Sequence, residues 1–297
     1  MIKNALIVFL GSCSFGVIST LVKLAYSKEY TLGEITGAQF FFGMLILWAL
    51  FFLGKLTGRI KEWPKRGKDA VWKLILAGFP VGMVSVSLYK SMQFLPASIA
   101  VILLMQFVWI GVLIEFLIFK SKPSLPQICS MILVLGGTLL AAGLFNQQQL
   151  ELSLSGVFFG FLAAIFFSIY LIVMSRVGNG YAPVEKSAFI LTGACLLIFF
   201  VFPPTFLLNG VLAGGLWQWG LLMATFGTVI PPLFFAIGIP KIGATLSSIL
   251  SSAELPVAVA MSYFILAEKV SGLQWIGVSI ILLAIVVSNV FGTKKLA

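Results

Sequence analysis

Long apolar runs, broken only by short polar interruptions, fill almost the whole 297-residue chain. A helix needs about 20 apolar residues to cross the hydrocarbon core of a bilayer. Runs of that kind fall at residues 5–25, 33–53, 71–92, 97–119, 125–145, 154–175, 185–207, 216–238, 244–267 and 273–292. They are apolar on every face. A membrane β-barrel would show segments of about ten residues alternating polar and apolar. The pattern therefore predicts an all-α membrane protein of ten transmembrane helices. Many connections are turn-like, among them Leu95-Pro96, Lys122-Pro123-Ser124 and Pro240-Lys241-Ile242-Gly243. Helices joined that tightly are antiparallel neighbours. The opening run is longer than a signal-peptide core and lacks a small-residue cleavage site, so it reads as the first span.

Composition removes the soluble alternatives. Hydrophobic residues make up 60% of the chain and charged residues 9%, where a soluble domain carries roughly 25% charged residues. The net charge of +10 bears on orientation. With both termini on one side, Lys23, Lys28, Lys90 and Lys269 lie opposite, and the rest of the 19 basic residues share the side of the termini. That asymmetry places the N- and C-termini in the cytoplasm. The charges sit in short loops, so no nucleic-acid partner is expected. Loop 54–70 carries the densest cluster. It reads as a solvated cytoplasmic loop or as a segment lying toward anionic lipid headgroups. The chain has no His and only Cys13, Cys129 and Cys195, each within an apolar stretch. Neither a metal centre, a cofactor nor a disulfide framework is expected.

The chain also repeats itself. A shift of 147 residues lays Pro96-Ala97-Ser98-Ile99-Ala100-Val101-Ile102-Leu103 on Gly243-Ala244-Thr245-Leu246-Ser247-Ser248-Ile249-Leu250, Ser124 on Ser271 and Gln127 on Gln274. A slightly larger shift lays Glu34 on Glu185. The units are 1–147 and 148–297, each with five spans. An odd span number per copy forces the copies into opposite orientations, so two inverted five-helix repeats are predicted, the arrangement of many secondary transporters.

The block from Gly243 to Ala258, with Leu266-Ala267-Glu268-Lys269 after it, resembles the repeat of the EamA family in the drug/metabolite transporter superfamily. Its first-half copy runs from Leu95 to Lys122, and the resemblance covers essentially the whole chain. It implies a small solute, efflux, and a cavity lined by spans one, three, four, six, eight and nine. The location it suggests is the plasma membrane of a prokaryote. One departure is visible: many members place the Glu directly before the Pro, and here Leu255 separates Glu254 from Pro256.

An ionisable side chain at mid-membrane costs about 2.5–3.5 kcal/mol and marks a functional candidate. Glu254 is the deepest, with Ser251 and Ser247 three and seven residues before it, on one helical face. Such a stripe is either a cavity wall, with a carboxylate for a cationic group or a proton, or interhelical glue. Gln106, Trp109, Tyr89, Ser168 and Tyr170 are the other polar or aromatic candidates at depth. Gly227-Thr228-Val229-Ile230-Pro231-Pro232 should kink or open the eighth span, and Gly78-Phe79-Pro80-Val81-Gly82 the third. Interrupted helices at matching positions of two halves point to a transporter site, so Pro80, Gly82, Pro231 and Pro232 are helix-break or gating candidates. Lys90 is placed near the outer end of the third span. Lys23 is expected to pair with Glu34, and Glu115 to lie at the interface. Gly156 with Gly160, and Gly33 with Gly37, predict tight helix contacts.

The expected function is a secondary transporter, an exporter of small organic metabolites such as amino acids or of amphipathic toxic compounds, working by alternating access. A membrane-embedded enzyme would need a catalytic constellation, and none is present. A channel would show a filter loop or charge ring. ATP-driven transport needs a Gly-rich phosphate loop, which is missing. The chain leaves a monomer and a homodimer open.

Overall fold

The computed structural model describes residues 2–58, 70–141, 153–267 and 269–292. Most of the basic loop 54–70, and with it any lipid contact there, lies outside them. Among the described residues all regular structure is helical. The first span is α1 (Ile2–Tyr26) and the second α2 (Leu32–Leu56). The third is divided into α3 (Val71–Leu76) and α4 (Gly78–Phe94), the fourth into α5 (Ala97–Met105) and α6 (Phe107–Phe119). α7 (Leu125–Ala141), α8 (Leu154–Arg176) and α9 (Pro183–Val201) follow as the fifth to seventh. The eighth comprises α10 (Trp217–Met223), a wide-turned π segment (Ala224–Val229) and α11 (Ile230–Ile242). The ninth is α12 (Ala244–Ser251) and α13 (Glu254–Ile265), and the tenth α14 (Gly272–Gly292). Eight of these spans are long and apolar enough to cross a membrane, while the apolar stretches of α7 and α14 are shorter.

Packing is reciprocal. α1 lies on α11, α12 and α13, and α8 lies on α4, α5 and α6. α2 pairs with α9, α6 with α12, and α7 with α14. Without water to drive association, close van der Waals fit holds such helices together, and small residues permit it. A Cβ on Gly137 would stand 2.9 Å from the Gly277 carbonyl of α14. The expected small-residue pairs also sit at contacts: Gly156 and Gly160 under Leu95 and Leu103, Gly33 and Gly37 under Phe202 and Phe206.

The local signals act as chain physics requires. Thr31 and Glu34 form a capping box that starts α2, each satisfying an orphan amide of the other. Leu95, extended because Pro96 follows, ends α4. Pro240 does not end its helix. α11 runs on to Ile242, and the turn to α12 shrinks to Gly243 at φ 84°, a left-handed conformation that favours glycine.

The interruptions of the third and eighth spans fall just before the prolines. α3 gives way to α4 at Ala77, and Pro80 sits in the first turn of α4, where a missing N–H costs no helix bond. Pro231 and Pro232 sit in the first turn of α11 behind the π segment. Their lost N–H groups leave the carbonyls of Gly227 and Thr228 without i−4 donors. A second matched pair of breaks occurs in the fourth span at Gln106 and in the ninth at Ser252-Ala253, 147 residues apart as Gln106 and Ala253. There the amides of Gln106, Ser252 and Ala253 bond back three residues rather than four. In the ninth span Pro256 cannot donate to the Ser252 carbonyl, which accepts from the Leu255 amide at 3.2 Å instead. In the fourth no proline is present; the Gln106 side-chain amide instead donates to the Ile102 carbonyl at 3.1 Å.

Candidate functional site

The break in the ninth span sets Glu254 as the first residue of α13. It is buried, 6% exposed. Among the described residues its carboxylate accepts no hydrogen bond and forms no ion pair. α1 crosses directly over it: a Cβ on Gly16 would meet the Glu254 carbonyl oxygen at 2.5 Å and the Val257 Cβ at 2.6 Å. Tyr89, buried in α4, lies near Glu254. Its hydroxyl donates to Gln39 Oε1 at 2.8 Å, and its carbonyl accepts from the Tyr26 hydroxyl at 3.2 Å. Ser251 accepts from the Ser12 hydroxyl of α1 at 3.3 Å. Ser251 is thus tied to α1 by Ser12, and Tyr89 to α1 and α2 by Tyr26 and Gln39.

Three further serines of the ninth span are turned on their own backbone. Ser247 donates to the Gly243 carbonyl at 2.6 Å, Ser248 to Thr245 and Ser252 to Ile249. The break at 252–253 also interrupts the face that the spacing of Ser247, Ser251 and Glu254 implied.

The other candidates lie elsewhere. Trp109 Nε1 donates to Gln106 Oε1 at 2.8 Å, so these two form a local pair across the fourth-span break. Ser168 donates to the Phe107 carbonyl at 3.1 Å and to that of Ala164. Tyr170 is buried with its hydroxyl unpartnered. Its ring stands 5.9 Å from Phe167 and 6.0 Å from Phe235, in an aromatic group that also takes in Phe15 and Phe107. Pro80 and Gly82 are buried, and Gly82 packs on Leu197 and Ala194 of α9. The Pro232 carbonyl accepts from Ser187 at 3.1 Å. Within the π segment the Phe226 carbonyl accepts from Ser14 at 2.7 Å, and the Thr228 hydroxyl reaches the Gln39 carbonyl.

Gln39, Ser12, Ser14 and Tyr26 were not singled out from the sequence. The signal for Gln39 was present, a lone amide inside the apolar run of the second span. Serines in α1 are indistinguishable from packing residues until their partners are known.

The two ends of the bundle differ. At the end carrying Lys90, a cavity of about 560 Å³ opens between Thr31, Glu34, Lys90, Gln93, Phe202 and Thr205 among others. Lys90 is partly exposed and its ammonium donates to Gln93. Glu34 does not take Lys23 as its partner; its carboxylate accepts from the amide and hydroxyl of Thr31, both at 2.8 Å. At the opposite end Glu115, near the end of its span, is buried among the helices. It holds Arg176 of α8 at 3.3 Å and accepts from the Thr245 hydroxyl of α12.

Comparison with known families settles what class of protein carries this arrangement. The model of the EamA-like transporter family matches residues 2–143 and again residues 154–290. The chain belongs to the EamA-like transporter family. It is an integral, multi-pass membrane transporter, and its family and relatives point to carriage of a small solute rather than to catalysis. An uncharacterized transporter of Synechocystis sp. is 23% identical over 97% of this chain and 93% of its own. The threonine/homoserine exporter RhtA of Salmonella typhimurium is 26% identical over 84% of this chain and 79% of its own. A solved crystal structure shares the fold at 15% identity, with a TM-score of 0.75, covering 99% of this chain and 98% of that one.

Proposed function

We propose that this EamA-like transporter exports amino acids or related small metabolites by alternating access. The termini lie in the cytoplasm, the units 1–147 and 148–297 rock against each other, and loop 54–70 faces anionic headgroups. Glu254 is the central binding group, taking either the ammonium of the solute or a coupling proton. The observation that carries this reading is a buried carboxylate without a partner, set at a helix break between a closed end and an open one. An ionised carboxylate left alone in an apolar interior costs several kcal/mol, so the position gains most from a cationic occupant. Phe15, Phe107, Phe167 and Phe235 offer an apolar wall where α1, α6, α8 and α11 meet. The name of the RhtA relative supports an amino-acid class, and the few polar groups at depth suit a solute with a small polar head.

In this reading the Glu115, Arg176 and Thr245 cluster is the cytoplasmic gate, closed here, and the 560 Å³ cavity is the outer mouth. The test is growth of cells expressing the protein in the presence of toxic amino-acid analogues or lipophilic cations. Resistance to the analogues, lost with Glu254→Gln at equal membrane abundance, is expected. Resistance confined to lipophilic cations would overturn the substrate class, and full resistance with Glu254→Gln would remove Glu254 from the site.

A further inference from the structure

The outer cavity holds two opposite charges that do not meet. Lys90, near the end of α4, and Glu34, in the first turn of α2, both line it, yet they form no ion pair with one another. Each is fixed in place by a neutral neighbour and keeps capacity for a second partner. Glu34 Oε2 accepts both bonds from Thr31, leaving Oε1 free. The Lys90 ammonium, with three donors, donates one to Gln93 at 3.0 Å and rests 5.2 Å from the Phe94 ring centre. The same cavity is lined by the polar Thr31, Gln93 and Thr205 and by the apolar Phe202, Pro203 and Phe206.

We infer that this cavity is a second, peripheral solute site, built for a zwitterion with an apolar side chain. The carboxylate lies on Lys90, the ammonium on Glu34 Oε1, and the side chain on Phe202 and Phe206. The volume of about 560 Å³ falls within the range of ordinary small-molecule pockets. Both charges are partly exposed and therefore screened, so binding is weak and exchange fast, as a mouth site requires. Polar contacts continue inward from the cavity: Tyr89, next to Lys90 in the chain, accepts on its carbonyl from Tyr26 and donates its hydroxyl to buried Gln39. The inference rests on the transporter reading for its role, but not for its detection.

The test uses the purified full chain carrying Glu254→Gln, which silences the central carboxylate. Saturation-transfer NMR is recorded with L-leucine, its methyl ester and N-acetyl-L-leucine. Glu34→Gln keeps the cap, because Gln also serves at that position, and removes only the charge. Transfer to leucine is expected and should fall at least threefold with either Lys90→Gln or Glu34→Gln. The ester should lose its signal only with Glu34→Gln, and the acetylated acid only with Lys90→Gln. No transfer to leucine, or transfer unchanged in both variants, would overturn the site. Export by the otherwise native protein, measured separately, decides the transporter reading on its own.

Discussion

The Arg176 guanidinium meets the Glu115 carboxylate at 3.3 Å while lying 3.5 Å from the Phe119 ring centre. One contact thereby joins α6 to the end of α8, and the Thr245 hydroxyl on the same carboxylate adds α12. Glu115 is the buried member, its side chain 8% exposed against 43% for Arg176.

Removing Arg176 alone leaves that buried carboxylate its charge with only the Thr245 hydroxyl as donor. Arg176→Gln is expected to cost about 1–3 kcal/mol, the range for a buried polar group that loses its partner. Adding Glu115→Gln should recover part of the loss. Thermal unfolding of the single and double variants in detergent measures both. A double variant no better than the single would show that the pair contributes only through Arg176 packing on Phe119.

Glu254→Gln keeps the shape of the side chain and removes its charge. Transport into proteoliposomes should fall at least tenfold, with the monodispersity of the purified protein unchanged. Aggregation on size exclusion would instead mark Glu254 as a structural residue.

Gly16→Ala places a methyl group against the Glu254 carbonyl and Val257. Overpacking of this kind costs about 1–3 kcal/mol and should lower both melting temperature and transport. Gly136 on α7 has open space where its Cβ would stand, so Gly136→Ala supplies the control. It should be neutral or slightly stabilising, because alanine is the better helix former.

Tyr89→Phe removes the donor to buried Gln39. Interhelical hydrogen bonds in membrane proteins average about 0.6 kcal/mol, so the melting temperature should shift little. A several-fold lower transport rate is expected if the Tyr89–Gln39 bond shapes the core around Glu254. An unchanged rate would assign it to packing.

Replacing Pro231 and Pro232 together with Ala returns amide donors to the carbonyls of Gly227 and Thr228. The π segment should tighten toward ordinary helix and transport should slow more than expression falls. Cysteine crosslinking across Ser14 and Phe226, which touch here, would report the change.

The spans were legible because lipid demands long, unbroken apolar stretches, and nothing else in the chain competes with that signal. The prolines at 80, 231 and 232 also marked the third- and eighth-span breaks within a few residues. The fourth-span break at Gln106 was not legible. It carries no proline or glycine, and an amide folded onto its own helix looks like any polar residue at depth. Glu254 stood out because it is charged. Gln39 and Tyr26, which bond Tyr89, and Ser12, which bonds Ser251, come from helices far away in the chain, and only packing shows these contacts. The partners of Glu115 were hidden for the same reason: its distance from Lys120 marks the end of the span, while Arg176 and Thr245 belong to other spans.

Gly243 is the whole connection between α11 and α12. Two helices hinged on a single residue act as one lever. One arm carries the Pro231–Pro232 break, the other leads to Glu254, and Thr245 fastens the lever near its fulcrum to Glu115. A residue inserted at this joint would slip the two arms out of phase, disturbing the carboxylate site and the latch together without touching either.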